Sequence, residues 1–320
     1  MSETMTPVFV NHLAYALGEQ RSTIEESIAA GRASSNAKAL EQAGFQYHHV
    51  CREGTTGYDL ARRALEGIAA DLGDVGAIIY STCLPVNGNI GDESKFREDG
   101  DVKHLMDFPA SHLQADFGLG DAMVIGLNQQ ACTGMLGSLR LARMLLHAEP
   151  EVGKVLCVTA DRFPQGASYE QAYNLISDGA AACTVSTAAQ GFRLLACHSI
   201  TNGALARASD DETVGSYFTY THRLIQETLQ KAGLGIDDIR WIVPQNVNVK
   251  AWQILSRLLH VELERVYFAS IAEVGHVISG DSIINLKRLE EVEDLRHGDR
   301  ILLCMAGYGL NWQATILERT

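Results

Sequence analysis

The stretch GLNQQACTGMLGSLRLARMLL, residues 126–146, places one cysteine, Cys132, directly ahead of a long run with helical periodicity. Cysteine packs like a small apolar residue and is commonly buried. A thiol at a helix N-terminus, however, faces the positive end of the helix dipole and unpaired N–H groups, which stabilise the thiolate and lower the thiol pKa. The stretch predicts a helix with Cys132 at its N-terminus, where the thiol is either a packing residue or a nucleophile.

Outward from this helix, the apolar run AMVIGLNQ (122–129) precedes it and KVLCVTAD (154–161) follows it, giving strand, helix, strand. The alternation continues over nearly the whole chain. Further strand-like runs are GAIIYSTC (76–83), AACTVSTA (181–188), WIVPQNV (241–247), RVYFAS (265–270), DRILLCMAG (299–307) and WQATILE (312–318). Helix-like runs fall between them: GYDLARRALEGIAADLG, FTYTHRLIQETLQKAGLG, KAWQILSRLLHVE and SGDSIINLKRLEEVEDL. Such alternation is the pattern of an α/β protein with buried strands.

A weak internal repeat emerges when the chain is cut near residue 190. ADLGDVGAIIYSTC leads from a helix into a strand with a polar tip, and QKAGLGIDDIRWIVPQNVN does the same later. Each half closes on a strand pair, KVLCVTAD with GAAACTVSTA and DRILLCMAG with NWQATILE. The reading is two copies of one α/β unit, residues 1–190 and 191–320. The polar, charged segment 87–108, NGNIGDESKFREDGDVKHLMDF, breaks the rhythm and is expected to be an insertion or lid near the site.

A formal net charge of −13, without a sustained basic cluster, disfavours nucleic acid as a partner. The seven cysteines are odd in number and mostly sit inside apolar runs, as expected of a reduced cytoplasmic protein and not of a disulfide scaffold. No CxxC or HExxH pairing occurs, and His48 and His49 lack partners at ligand spacing, so no metal site is expected. No apolar run is long enough to span a membrane, and the first residues lack the pattern of a signal peptide.

A cysteine nucleophile needs a base or cation nearby and donors for an oxyanion. Three loops offer them. VPQNVNVKAW carries Gln245, Asn246 and Asn248 at a strand tip; EVGHVISGDSIINL carries His276, with Asp281 opening the next helix; MAGYGLNW carries Gly307 and Gly309, able to turn a backbone N–H toward a carbonyl.

In these motifs, and in their order, the chain resembles the beta-ketoacyl-acyl-carrier-protein synthase III family of the thiolase superfamily, from about residue 7 to the C-terminus. DFPASHLQADFGLGDAMVIGLNQQACTGM is similar to that family's Phe-Pro pair followed by the reactive cysteine. SDGAAA (177–182) looks like its GDGAGA-type turn, and GYGLNW (307–312) like its terminal glycine-rich loop with tryptophan. Two loops depart. Where the family has VPHQAN with a catalytic histidine, this chain has VPQNVN, with Gln245 at the histidine position and Asn248 matched. Where the family has an asparagine after a glycine, VGHVISG places His276. In the family the histidine and asparagine donate to the thioester carbonyl of a malonyl group and stabilise the enolate left by decarboxylation.

The resemblance implies a five-layer α-β-α-β-α thiolase-like fold of two duplicated halves. It implies an acyltransferase in which Cys132 attacks an acyl-CoA or acyl-carrier-protein thioester while the N–H groups of Cys132 and Gly309 hold the oxyanion. With the thiol lowered by its helix, His276 is expected to serve the second half-reaction as general base on an oxygen, nitrogen or carbon acceptor. Gln245 is expected at the substrate carbonyl, Asn248 in loop order, Asp281 and Asn246 as orienting residues, and Lys250 and Arg257 where a carrier protein docks. Coenzyme A or phosphopantetheine enters as substrate, with no bound cofactor, and a homodimer is implied. Specialised metabolism fits the moved histidine; a decarboxylative condensing enzyme and a non-catalytic partner subunit are the alternatives.

Overall fold

The structure, a computed structural model, describes residues 6–171, 174–308 and 310–320, with backbone alone at 210 and 211. Nine strands form the main sheet: β1 (Phe9–Leu17), β2 (Ala77–Ser81), β3 (Met123–Leu127), β4 (Lys154–Asp161), β5 (Gly179–Ser186), β6 (Phe192–Thr201), β7 (Trp241–Pro244), β8 (Arg300–Gly307) and β9 (Asn311–Arg319). Among the described residues, the six α-helices of eight residues or more lie between them: α1 (Gly57–Glu66), α2 (Pro109–Asp116), α3 (Gly134–Ala148), α4 (Asp210–Ala232), α5 (Val249–Leu259) and α6 (Asp281–Val292).

The strand order is β7-β8-β9-β6-β1-β5-β4-β2-β3. On one side β1 pairs antiparallel with β5, β5 antiparallel with β4, and β4 parallel with β2. On the other, β6, β9, β8 and β7 repeat those three relations in the same order. The helices repeat as well: α1 and α4 precede β2 and β7, and α3 and α6 precede β4 and β8. The two sets meet where Phe9 and Val10 of β1 pair antiparallel with Arg193 and Phe192 of β6.

Both faces of the sheets are covered, which is why the strands read as nearly continuous apolar runs. Ala77 and Ile79 of β2, Val155 and Cys157 of β4, and Ile301, Leu303 and Met305 of β8 point inward against α3 and α6. Their neighbours Ile78, Tyr80, Leu156 and Val158 point outward against α1 and α2. Leu302 and Cys304 of β8 do the same against α4 and α5. The result is helix, sheet, helix, sheet, helix, with α3 and α6 as the central layer.

Two expectations are corrected, and the segment 87–108 gains a local structure. Residues 265–270 do not form a strand; the third strand of the second unit shrinks to a single parallel bridge, Ile242 with Val266, after a 3₁₀ turn at Leu263–Arg265. Strands β1 and β6, which no apolar run announced, are central to the sheet. In the segment 87–108 a short helix, Glu93–Asp99, is capped by Asp92 and tied back by Ile90 N–H to Asp107 O at 2.8 Å and Asp92 N–H to His104 O at 2.8 Å. No helix among the described residues is long and apolar enough to cross a membrane.

Candidate active site

Cys132 lies in a 3₁₀ turn, Ala131–Thr133, immediately before α3. The preceding Ala131 has φ of +44°, a left-handed conformation that a residue with a side chain adopts only when its surroundings impose it. Two contacts impose it here. Ser279 Oγ donates to Ala131 O at 2.8 Å, and Gln313 Nε2 donates to Gln130 Oε1 at 2.6 Å and Thr133 Oγ1 at 3.1 Å. The end of β8 closes over the same turn: a Cβ at Gly307 would sit 2.8 Å from the Cys132 nitrogen, so only glycine fits. Gly309, the expected oxyanion donor two residues on, falls outside the described residues.

His276 is buried, 3% exposed, on the loop between the short helix Ile271–Val274 and α6. Its backbone is pinned on both sides, with His276 N–H to Leu175 O at 2.8 Å and Ser177 N–H to His276 O at 2.9 Å. Gly275 makes this approach possible, since at φ of +70° a Cβ would lie 2.8 Å from Ser177 Oγ. The imidazole Nδ1 meets Asp281 Oδ2 at 2.5 Å. A carboxylate there holds the Nδ1–H tautomer and leaves Nε2 with its lone pair. Asp281 is itself fully buried and accepts from Asn246 N–H at 2.6 Å and Val277 N–H at 2.7 Å. Asn246 donates from Nδ2 to Gly275 O at 2.7 Å and accepts from Asn285 Nδ2 at 2.8 Å, linking the Gln245 and His276 loops.

The thiol is not lowered as its helix position predicts. Its pKa is pushed well above that of an ordinary cysteine by a hydrogen bond with the Cys83 thiol, by burial, and by the carboxylates of Asp161 and Asp281. The neighbouring sulfur, burial and two negative charges all favour the neutral thiol. The proton on Cys132 therefore needs an acceptor before the sulfur can attack. Asp161 is buried at the end of β4 and accepts from Thr82 Oγ1 at 2.6 Å, from Cys83 and Leu84 N–H at 3.0 Å each, and from Asn87 Nδ2 at 3.2 Å. Burial still raises its pKa to about 6.

Gln245 is buried, and its Oε1 accepts the N–H of Ala306 on β8, which leaves its NH₂ as the donating end. Asn248 is the N-cap of α5, accepting Lys250 N–H at 3.0 Å. Lys250 Nζ reaches Gln42 Oε1 at 3.2 Å, and Arg257 is exposed on the same helix. A cavity of about 180 Å³ opens between Asn248, Lys250, Gln42 and Glu170. Leu40 and Ala43 on its wall belong to the apolar cluster that also packs against Cys132, Cys83 and Val249. Cys83, Asp161, Ser279 and Gln313 escaped the sequence reading, because nothing in their local spacing separates them from strand-end and turn residues. No group of three or more metal-ligating side chains occurs among the described residues.

Two family profiles match in chain order: "3-Oxoacyl-[acyl-carrier-protein (ACP)] synthase III" over residues 128–203 and its C-terminal part over residues 229–319. Beta-ketoacyl-[acyl-carrier-protein] synthase III of Rhizorhabdus wittichii is 26% identical over 314 residues, covering 89% of this chain and 91% of the relative. The enzyme of that name from Nitratidesulfovibrio vulgaris is 24% identical over 308 residues, covering 87% of each. Among solved structures, the acyltransferase ChlB3 superposes with a TM-score of 0.82 at 21% identity, over 98% of both chains. The synthase III of Thermus thermophilus gives 0.81 at 23% identity, over 98% of this chain and 99% of that one. With the two profiles together spanning the Cys132 turn and the His276 loop, and one thiolase-like fold end to end, the chain belongs to the 3-oxoacyl-[acyl-carrier-protein] synthase III family of acyl-transferring enzymes.

Proposed function

We propose that the protein moves an acyl group from an acyl-CoA or acyl-carrier-protein thioester onto Cys132, and from there to a small-molecule oxygen, nitrogen or carbon nucleophile, in specialised metabolism. The observation that carries this reading is the buried pair of His276 and Asp281, 2.5 Å apart, on a loop that Ser279 ties to the nucleophile turn. In the first half-reaction the Cys132 thiol gives up its proton to Nε2 of His276, the sulfur attacks the thioester carbonyl, and the thiol of CoA or phosphopantetheine leaves with a proton returned by His276. The N–H of Cys132 and that of Gly309 stabilise the oxyanion. In the second, His276 takes the proton of the acceptor as it attacks the acyl-enzyme. A histidine backed by a carboxylate suits a neutral alcohol or amine acceptor, which must shed a proton.

One observation favours a second reading, decarboxylative condensation. The Gln245 amide is oriented by Ala306 with its NH₂ as the donating end, so Gln245 and a protonated His276 together supply two donors for a malonyl enolate. The cavity beside Asn248 and Lys250 is where the thioester arm enters, with Lys250 and Arg257 meeting an acidic carrier. We take the unit boundary between residues 190 and 191, in the turn from β5 to β6, and the assembly as a homodimer through the open edge of β3.

Intact-mass spectrometry after incubation with a series of acyl-CoAs tests the reading. Wild type should gain one acyl mass and Cys132→Ala none. An adduct that persists in Cys132→Ala, or no adduct with any thioester, overturns it.

A further inference from the structure

The Cys83 thiol neighbours the proposed nucleophile and has no part in the acyl-transfer scheme. Cys83 leaves β2 on a loop whose course is set by one buried carboxylate. Asp161 gathers Thr82 Oγ1, the N–H groups of Cys83 and Leu84, and Asn87 Nδ2 within 3.2 Å. That knot fixes residue 83 at the end of β2, where its thiol and that of Cys132 are near enough to share a hydrogen bond. The helix start is pressed onto the same strand end, since a Cβ at Gly134 would lie 3.2 Å from Ser81 Cβ. Cys83 and Cys132 border one apolar cluster, and both residues are half-buried.

A second thiol pair provides a contrast. Cys157 and Cys183 face each other across β4 and β5 with no exposure at all, walled in by the central core. Two thiols in contact are one two-electron oxidation away from a disulfide, and what separates the pairs is access and a route for the proton.

We infer that Cys83 is a resolving cysteine, which closes a reversible disulfide onto Cys132 when the enzyme meets a hydroperoxide. The inference rests on Cys132 being the reactive thiol of the acyl-transfer reading. The Cys132 sulfur, once its proton has gone to His276, attacks the distal oxygen of the hydroperoxide. The O–O bond breaks, a Cys132 sulfenic acid forms, and water or an alcohol departs. The Cys83 thiol then attacks that sulfur, the S–S bond forms, and the sulfenic oxygen leaves as water with the Cys83 proton. Sulfur is oxidised by two electrons per disulfide and the hydroperoxide is reduced by the same two. The disulfide removes the acyl acceptor, protects Cys132 from irreversible sulfinic acid, and is undone by a dithiol reductant.

The test treats the full-length protein with hydrogen peroxide, followed by iodoacetamide, proteolysis and peptide mass mapping, before and after dithiothreitol. Wild type should yield the peptide of Cys83 joined to that of Cys132, two hydrogens lighter than the reduced pair, with Cys157 and Cys183 unjoined. Dithiothreitol should restore at least nine-tenths of the capacity to take up an acyl mass. Cys83→Ser should instead accumulate Cys132 sulfinic acid and regain less than a tenth. If wild-type Cys132 proceeds to sulfinic acid while Cys83 stays free, or if Cys83→Ser recovers as fully as wild type, the resolving role is overturned. Acyl-mass uptake by the reduced protein is read separately, so failure of the acyl-transfer reading shows there and not in the peptide map.

Discussion

At the scale of single residues, the proposed chemistry turns on a proton that the Cys83 thiol, burial and two carboxylates keep on Cys132. In the proposed mechanism His276, oriented by Asp281, takes it, which ties both half-reactions to one imidazole. His276→Ala should therefore slow acylation and acyl transfer alike, each by about 10²–10⁴-fold, the usual worth of a general base. Single-turnover mass spectrometry separates the steps; acylation at wild-type rate would show that the helix alone activates the thiol. Asp281→Asn should lose part of this, with the pH optimum shifted, because the amide no longer selects the Nδ1–H tautomer. Asp161 makes a stability prediction of definite sign. Its folded pKa of about 6 lies above the ordinary 3.8, so the folded chain keeps a proton that the unfolded chain releases between those values. Its contribution is thus intact below pH 4 and is lost as pH rises through about 6, by roughly 3 kcal/mol. Urea unfolding of wild type and Asp161→Ala at pH 4 and pH 7 should show the wild-type advantage shrinking by that order, and a growing advantage would mean the four donors hold the carboxylate ionised.

At the scale of elements, the site is assembled from the ends of strands and the starts of helices that the duplicated topology brings to one side. The loop after β7 carries Gln245 and the loop before α6 carries His276, and Asn246, Asp281 and Asn285 lock the two together. Because the loops are locked, exchanging their functional groups is a fair test of what the exchange does. Gln245→His with His276→Asn should release more carbon dioxide from a malonyl thioester and transfer less acyl group to the native acceptor, measured by radiolabelled malonyl release and product mass. Wild type that already decarboxylates a malonyl thioester efficiently would favour the condensing reading. Gln245 and His276 could be singled out in the sequence because each sits in a loop matched residue by residue to a known family. The raised thiol pKa was not, since Asp161, Asp281 and Cys83 act through space from positions far along the chain.

At the scale of the whole molecule, one edge of the main sheet is unfinished. β3 pairs with β2 on one side only, and Met123 and Val124 on it are 41% and 37% exposed. An open apolar edge strand seeks a partner. Light scattering should give twice the chain mass for wild type, and Met123→Lys with Val124→Lys should give a monomer with reduced activity; a monomeric wild type would remove the homodimer reading. Strand and helix type, the α/β class, the duplication and the nucleophile helix were set by local apolar periodicity, which survives in any α/β packing with buried strands. The strands that joined the units were hidden from it. β1 carries an irregularity between Asn11 and Ala14, with His12 at φ of +49°, and β6 one between Leu194 and Ala196, and each breaks the period on which a strand is recognised. The expected strand at 265–270 had the composition without a neighbour to pair with beyond Ile242. Composition and period are properties of a segment; register, the meeting of Cys83 with Cys132, and the charge around a buried thiol are properties of segments brought together, and only the tertiary structure decided them.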